Sequence, residues 1–208
     1  TNFIDLGASG GFFSAIFSAT ARRPSTILSV ECDPPSIQVL SETKKLNSST
    51  HIEWSVAPFA ISDSKTEIQI LSTGYGGLLL PPASDKHLEM ARPCAGYYRA
   101  ETITLAELAK RFQFSPDFIK CDIEGYEWEV FASSRDFLET MRPRLWLELH
   151  FDLMKNRGKD PSKVLAILDE MKYVEFSSRR RMSDIFEKSI PDRTHICLDH
   201  GNSRLNVS

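Results

Sequence analysis

The sequence predicts an α/β fold built on a mostly parallel sheet with helices on both faces. Two observations carry this expectation. Short apolar strand patterns alternate with helical ones along most of the chain, which calls for right-handed crossovers between parallel strands. A glycine-rich turn, Gly7-Ala8-Ser9-Gly10-Gly11, also joins the first strand pattern to the first helical one. In such sheets a ligand sits beyond the carboxyl ends of the strands, where strand order reverses. The residues that close each strand are therefore the first candidates for chemistry.

Residues 3–6 form the first strand, and Phe12, Phe13, Ile16 and Phe17 recur on one face of the helix that follows. Residues 26–31 are the second strand. Asp33 caps the next helix with Pro34 at its first position, and Ile37 and Leu40 face inward. Strands follow at 52–56 and 67–71, the second alternating as a strand with one wet face does. The stretch 72–101 is rich in Gly, Pro, Tyr and charge and has little period. A loop of that length points to function, and it is the expected lid over an acceptor. Gly74-Tyr75-Gly76-Gly77 would be its hinge, with Tyr75, His87, Tyr97 and Tyr98 facing the ligand. Thr104 to Glu107 is a capping box opening a helix that runs to about Phe112. Strands at 118–121 and 144–149 come next. Asp160-Pro161 then starts a helix carrying Val164, Leu168 and Met171, and two last strands fall at 173–177 and 194–198.

With 208 residues, 41% hydrophobic and 25% charged, the chain suits one globular domain spanning 1–208 and argues against disorder. It opens inside a strand pattern without an initiator Met, so it is expected to be cut from a longer polypeptide whose other domains are potential partners. A net charge of −3 lacks the basic excess of a protein held to nucleic acid by phosphate contacts. No apolar run reaches the roughly 18 residues of a membrane span. Cys32, Cys94, Cys121 and Cys197 are scattered without a CxxC pair. That spacing implies neither a zinc site nor a disulfide framework and favours a reducing, cytoplasmic setting.

The turn reads Asp5-x-Gly7-x-Ser9-x-Gly11. A dinucleotide fingerprint starting at Gly7 would need glycine where Ser9 and Phe12 stand. An acidic-x-Gly-x-Gly-x-Gly turn, with Ser9 in the middle place, fits S-adenosylmethionine instead. That donor carries no phosphate and needs a close turn with a carboxylate for its ammonium group, which Asp5 supplies. Glu31 closes the second strand, where an acidic residue takes both ribose hydroxyls. A nicotinamide enzyme could use Glu31 equally, and an ordinary strand-to-helix turn can also be rich in glycine.

The segment from Phe118 to Glu127 is the most distinctive. A buried strand runs into Asp122 and Glu124, two apart and so on one face while the chain stays extended. Glu127 stands at the start of the next helix, free either to join them or to pair with a nearby cation such as Lys120. The 144–149 strand repeats the pattern, ending in Glu148 and His150. If the two strands are neighbours, Asp122, Glu124, Glu148 and His150 converge on one rim. Carboxylates crowded beside a histidine call for pairing or use. His150, oriented by Glu148 or Asp122, would be a general base for an acceptor hydroxyl. Alternatively Asp122, Glu148 and perhaps His150 would hold a divalent cation that acidifies the hydroxyl.

These residues resemble the FkbM-type S-adenosylmethionine-dependent methyltransferases. The resemblance rests on Ile4 to Gly11 against a Val-Asp-Val-Gly-Ala-Asn-x-Gly turn, and on Glu31-Cys32-Asp33-Pro34 against Glu-Pro-x-Pro. Ala60-Ile61-Ser62-Asp63 is similar to Ala-Leu-Ser-Asp, and Ile119 to Glu127 to the hallmark Ile-Lys-x-Asp-x-Glu-Gly-x-Glu. Pro143 to His150 matches a Pro-x-x-x-x-Glu-x-His ending. Ser9 for Asn and Cys32 for Pro are the departures.

The resemblance implies a Rossmann-like class I methyltransferase fold with an antiparallel last strand. It places the donor at Asp5, Gly7, Ala8, Ser9 and Glu31, with Gly11, Cys32 and Asp122 in the lining and Ala60, Ile61 and Ser62 near the adenine. It also implies an enzyme that moves a methyl group to a hydroxyl of a small molecule or oligosaccharide, most often a sugar, and releases S-adenosylhomocysteine. Two other classes stay open: a nicotinamide-dependent oxidoreductase or epimerase, and a non-catalytic glycan-binding module.

Overall fold

The computed structural model describes residues 1–47, 49–72 and 96–201, with the backbone alone for 77–79. Its centre is a seven-stranded sheet of β1 (Asn2–Leu6), β2 (Ser25–Val30), β3 (Ile52–Ala57), β8 (Phe118–Cys121), β9 (Arg144–His150), β10 (Tyr173–Glu175) and β11 (Arg193–His200). The spatial order is β10-β11-β9-β8-β1-β2-β3. Strands β3 to β9 pair in parallel, and β11 alone runs against both its neighbours. Strand order reverses beside β1, which has β2 on one flank and β8 on the other, so these three strand ends are where such sheets place a ligand.

Alternate residues of the central strands feed separate cores. Ile4, Leu6, Leu28, Val30, Ile119, Leu145, Leu147 and Leu149 join the larger core on one face, while Phe3, Ile27, Leu40 and Trp54 pack on the other. Burial on both faces is why these strands read as apolar runs.

The helices are α1 (Phe12–Thr20), α2 (Pro34–Leu46), α3 (Leu105–Arg111), α4 (Glu127–Ser133), α5 (Arg135–Met141), α6 (Phe151–Asn156), α7 (Pro161–Glu170) and α8 (Met182–Ile185). Their starts follow the local signals. Asp33 accepts from the Ser36 amide, Thr104 and Glu107 form the capping box, and Asp160 accepts from Ser162 ahead of Pro161. Helix α1 departs from its apolar stripe: Ser14 and Ser18 are buried, whereas Phe12 is 69% and Ile16 44% exposed. The Ser14 hydroxyl sits 2.6 Å from Asp5 Oδ2 and 2.7 Å from Ser29 Oγ, so the polar face is tied to the buried strands. The rings of Phe13 and Phe17 lie against Trp146 and Phe3 instead.

A second sheet of four strands, ordered β4-β7-β5-β6, comprises β4 (Ala60–Ile61), β5 (Glu67–Ser72), β6 (Gly77–Leu79) and β7 (Tyr97–Ile103). The expected 72–101 lid is thus not one loop. Its two ends are strands that pair antiparallel with β5, and Tyr97 and Tyr98 belong to β7. Gly74, Tyr75, Gly76 and His87 lie outside the described residues. Among the described residues no helix is long and apolar enough to cross a membrane.

Candidate active site

The turn after β1 is shaped by its backbone. Gly7, Ser9 and Gly11 all adopt positive φ, +70°, +46° and +87°. A Cβ on Gly7 would lie 1.8 Å from the Asp122 carbonyl oxygen, so only glycine lets the β1 and β8 strand ends close together. The Gly7 and Ala8 amides both donate to the Val30 carbonyl at 3.0 Å, fastening the turn to β2.

Glu31 completes this corner. Its Oε2 accepts from the Ser9 amide at 2.8 Å, and its Oε1 from the Cys32 and Asp33 amides at 2.8 and 2.9 Å. Burial pushes its carboxyl up, and the three amides pull the other way. Burial likewise raises the Cys32 thiol. Ala60 and Ile61 are buried in β4, and the amide of half-buried Ser62 donates to Ile103.

Asp5, expected to meet the donor's ammonium group, is fully buried. Its carboxylate takes the Ser14 hydroxyl and stands 3.4 Å from the Lys120 ammonium. Lys120, which the sequence offered as a nearby partner for Glu127, is itself buried. Its Nζ donates to the Gly7 carbonyl at 2.8 Å and lies 3.4 Å from Asp122 Oδ2. Burial favours loss of its proton, but the charges of Asp5 and Asp122 outweigh that and hold it charged. One buried ammonium thereby binds the turn to the acidic segment.

Strands β8 and β9 are neighbours, so the acidic rim forms as expected. His150 Nε2 lies 3.4 Å from Glu124 Oε2, 3.5 Å from Glu148 Oε1 and 3.9 Å from Asp122 Oδ1. The route differs from the expected one. Glu124 does not share a pleated face with Asp122, because β8 stops at Cys121 and Glu124 turns left-handed at φ +53°, followed by Gly125 at +92°. The orienting partner of His150 is neither Glu148 nor Asp122 but Glu127, whose Oε1 lies 3.0 Å from Nδ1. Both side chains are fully buried.

Burial presses the His150 pKa down, yet the hydrogen bond and charge of Glu127, with the charge of Glu124, raise it overall. Sequence reasoning missed β11 as a contributor. The His195 imidazole contacts Glu148 Oε2 at 2.8 Å, and the Arg193 guanidinium stands 3.7 Å from Oε1. The signal for both was their place in the reversed strand, opposite Glu148 and His150.

A parallel sheet whose order reverses beside β1, with one reversed strand next to its edge and its glycine turn carried against an acidic strand end, defines a class I Rossmann-like methyltransferase fold. The chain belongs to the FkbM methyltransferase family, whose methyltransferase FkbM domain matches residues 5–175. A solved methyltransferase FkbM from Methylobacillus flagellatus KT is similar over 95% of this chain and 42% of its own, at 17% identity and a TM-score of 0.52. A precorrin-6y C5,15-methyltransferase from Geobacter metallireducens GS-15 is similar over 95% of this chain and 77% of its own, at 11% identity and a TM-score of 0.44. This chain therefore spans less than half of the FkbM structure. Among curated proteins, none matches it.

Proposed function

We propose that this chain transfers a methyl group from S-adenosylmethionine to a hydroxyl, most fittingly one of a sugar or oligosaccharide. One observation carries the reading: the turn held by Glu31 and the rim at Asp122 meet at the Gly7–Asp122 contact, beside the reversal in strand order. A donor seated on Gly7, Ala8 and Ser9, with its ribose on Glu31 and its adenine toward Ala60, Ile61 and Ser62, presents its methyl group to that rim. Gly11 and Cys32 flank the same corner. Asp5 acts from beneath, positioning the turn through Ser14 and Lys120.

The reaction is an in-line displacement. The acceptor oxygen forms a bond to the methyl carbon as the carbon–sulfur bond breaks, and that electron pair returns to sulfur, leaving neutral S-adenosylhomocysteine. The hydroxyl proton passes to Glu124, whose side chain at 42% exposure is the most accessible of the rim carboxylates. Fully enclosed His150 stands behind Glu124 and Glu148 and organises them. Because the sulfonium is already activated, alignment of the two reactants is the main contribution required of the protein, and such alignment supplies roughly 7 to 11 kcal/mol.

Calorimetry with S-adenosylhomocysteine and with NAD tests the donor, and labelled methyl transfer to a panel of sugars tests the acceptor. Micromolar S-adenosylhomocysteine binding without NAD binding is expected. NAD binding in its place would turn the reading toward an oxidoreductase or epimerase. A carbohydrate bound with no donor affinity would leave a binding module.

A further inference from the structure

Asp122, Glu148 and His150 each bring one potential ligand atom to a point where all three lie within 4.8 Å of one another. We propose that this point binds a divalent cation, with Asp122 and Glu148 as oxygen ligands and His150 Nε2 as the nitrogen ligand. The binding stands on geometry. Its catalytic role, holding the acceptor oxygen beside the sulfonium methyl, rests on the methyl-transfer reading above.

The imidazole is the decisive observation. His150 is fully buried, and its Nε2 has no hydrogen-bond partner among the described residues although it is aimed into the cluster. A buried polar atom left in that state calls for a partner. The other ring nitrogen explains why Nε2 is available. With Nδ1 donating to Glu127 Oε1, a cation binding at Nε2 would displace its proton and meet the lone pair that faces Asp122 and Glu148. A carboxylate behind a histidine in this way is the usual outer support of a metal ligand.

The carboxylates are arranged to the same end. Lys120 lies on Asp122 Oδ2 and leaves Oδ1 facing His150. His195 lies on Glu148 Oε2 and leaves Oε1 facing His150. Each acid is thus anchored at one oxygen, Asp122 by the Lys120 ammonium and Glu148 by the His195 imidazole, and offers the other. The separations of 3.5 and 3.9 Å from Nε2 are too long for hydrogen bonds. They suit atoms sharing one ion at bond lengths of about 2.1 to 2.3 Å. The Asp122 side chain is 25% exposed, so the site faces solvent and has coordination positions for water or an acceptor oxygen. Two carboxylates and one imidazole favour Mn²⁺ over the harder, oxygen-seeking Mg²⁺ and Ca²⁺.

The test titrates the whole chain with Mn²⁺, following the electron paramagnetic resonance signal of the free ion, and measures S-adenosylhomocysteine binding in parallel. One Mn²⁺ per chain is expected, with affinity at least tenfold weaker in Glu148→Gln and in His150→Gln and unchanged in Glu139→Gln, a carboxylate remote from the rim. Circular dichroism confirms that each variant is folded, and Glu148→Gln decides the matter if His150→Gln does not fold. No Mn²⁺ bound at millimolar concentration, or equal binding by wild type and Glu148→Gln, overturns the cation site. If S-adenosylhomocysteine still binds in either of those cases, the methyl-transfer reading survives without the ion. Mn²⁺ bound as expected with no S-adenosylhomocysteine affinity keeps the site and overturns the reading instead.

Discussion

His150 and Glu127 form a closed pair beneath the acidic rim: Nδ1 and Oε1 are 3.0 Å apart and neither side chain is exposed. Glu127 Oε1 also accepts from the Gly125 amide at 3.2 Å, so the pair fixes the left-handed turn that carries Glu124 as well as the imidazole. Glu127→Ala strands a buried donor, which costs about 1 to 3 kcal/mol. In a chain of this size each kcal/mol lowers the melting temperature by roughly 2 to 4 °C. Glu127→Gln keeps an acceptor and is expected to melt close to wild type while losing turnover about 10- to 100-fold, since His150 is no longer held by a charge. Thermal melts paired with methyl-transfer rates check both. A Glu127→Ala protein that melts and turns over like wild type would show the pair to be idle.

Gly7 and Gly158 separate backbone strain from steric conflict. Both have φ near +70°, but a Cβ on Gly158 meets nothing within 4 Å, whereas one on Gly7 runs into the Asp122 backbone. Gly158→Ala is expected to cost about 1 kcal/mol, the left-handed penalty alone. Gly7→Ala is expected to cost at least about 2 kcal/mol more and to abolish donor binding, because the ends of β1 and β8 must part. Urea unfolding of the two variants, with S-adenosylhomocysteine titrations, measures the difference. Equal destabilisation would mean that the strand ends move apart without cost.

The contrast between what the sequence revealed and what it concealed has a physical basis. Buried parallel strands read as apolar runs and helix caps are local, so β1, β2, β8 and β9 and the caps at Asp33, Thr104 and Asp160 were legible. The rim followed from pairing β8 with β9. What escaped depended on distant partners. Lys120 is buried because Asp5 and Asp122 flank it, and Glu127 because His150 arrives from another strand. The stripe of Phe12 and Ile16 misled because polar contacts of the buried Ser14 hydroxyl with Asp5 and Ser29 set the rotation of α1. Strand β7 was hidden inside an aperiodic stretch because its partners, β4 and β5, supply its order.

Glu175 gives the fold an acid-sensitive turn. Its carboxylate accepts from the Ser177 amide at 3.0 Å and from the Ser178 amide and the Ser177 hydroxyl, and these bonds draw its pKa down to about 2. The folded value lies below the ordinary one, so the contribution is complete above about pH 4.5 and is lost as pH falls toward 2. Solvent screening keeps it small, about 1 to 3 °C in melting temperature. Glu175→Gln is expected to melt below wild type at pH 6 and to converge with it as pH falls to about 2. A gap that stays constant across that range would show that the ionised carboxylate is not what secures the turn.

Glu31 tests the donor corner most directly. Its two oxygens accept from the amides of Ser9, Cys32 and Asp33, so the backbone itself holds the carboxylate in place for a ribose. Hydroxyls donating to a preplaced charge contribute about 1.5 to 3 kcal/mol each. Glu31→Gln retains one oxygen for the Cys32 and Asp33 amides but loses the anionic acceptor. It also sets an amide group against the Ser9 amide, donor facing donor. S-adenosylhomocysteine affinity is therefore expected to fall by roughly 10- to 100-fold, with a smaller change in melting temperature. If Glu31→Gln bound S-adenosylhomocysteine as tightly as wild type, the ribose would have to lie elsewhere, and the donor could not be seated on the turn between β1 and α1.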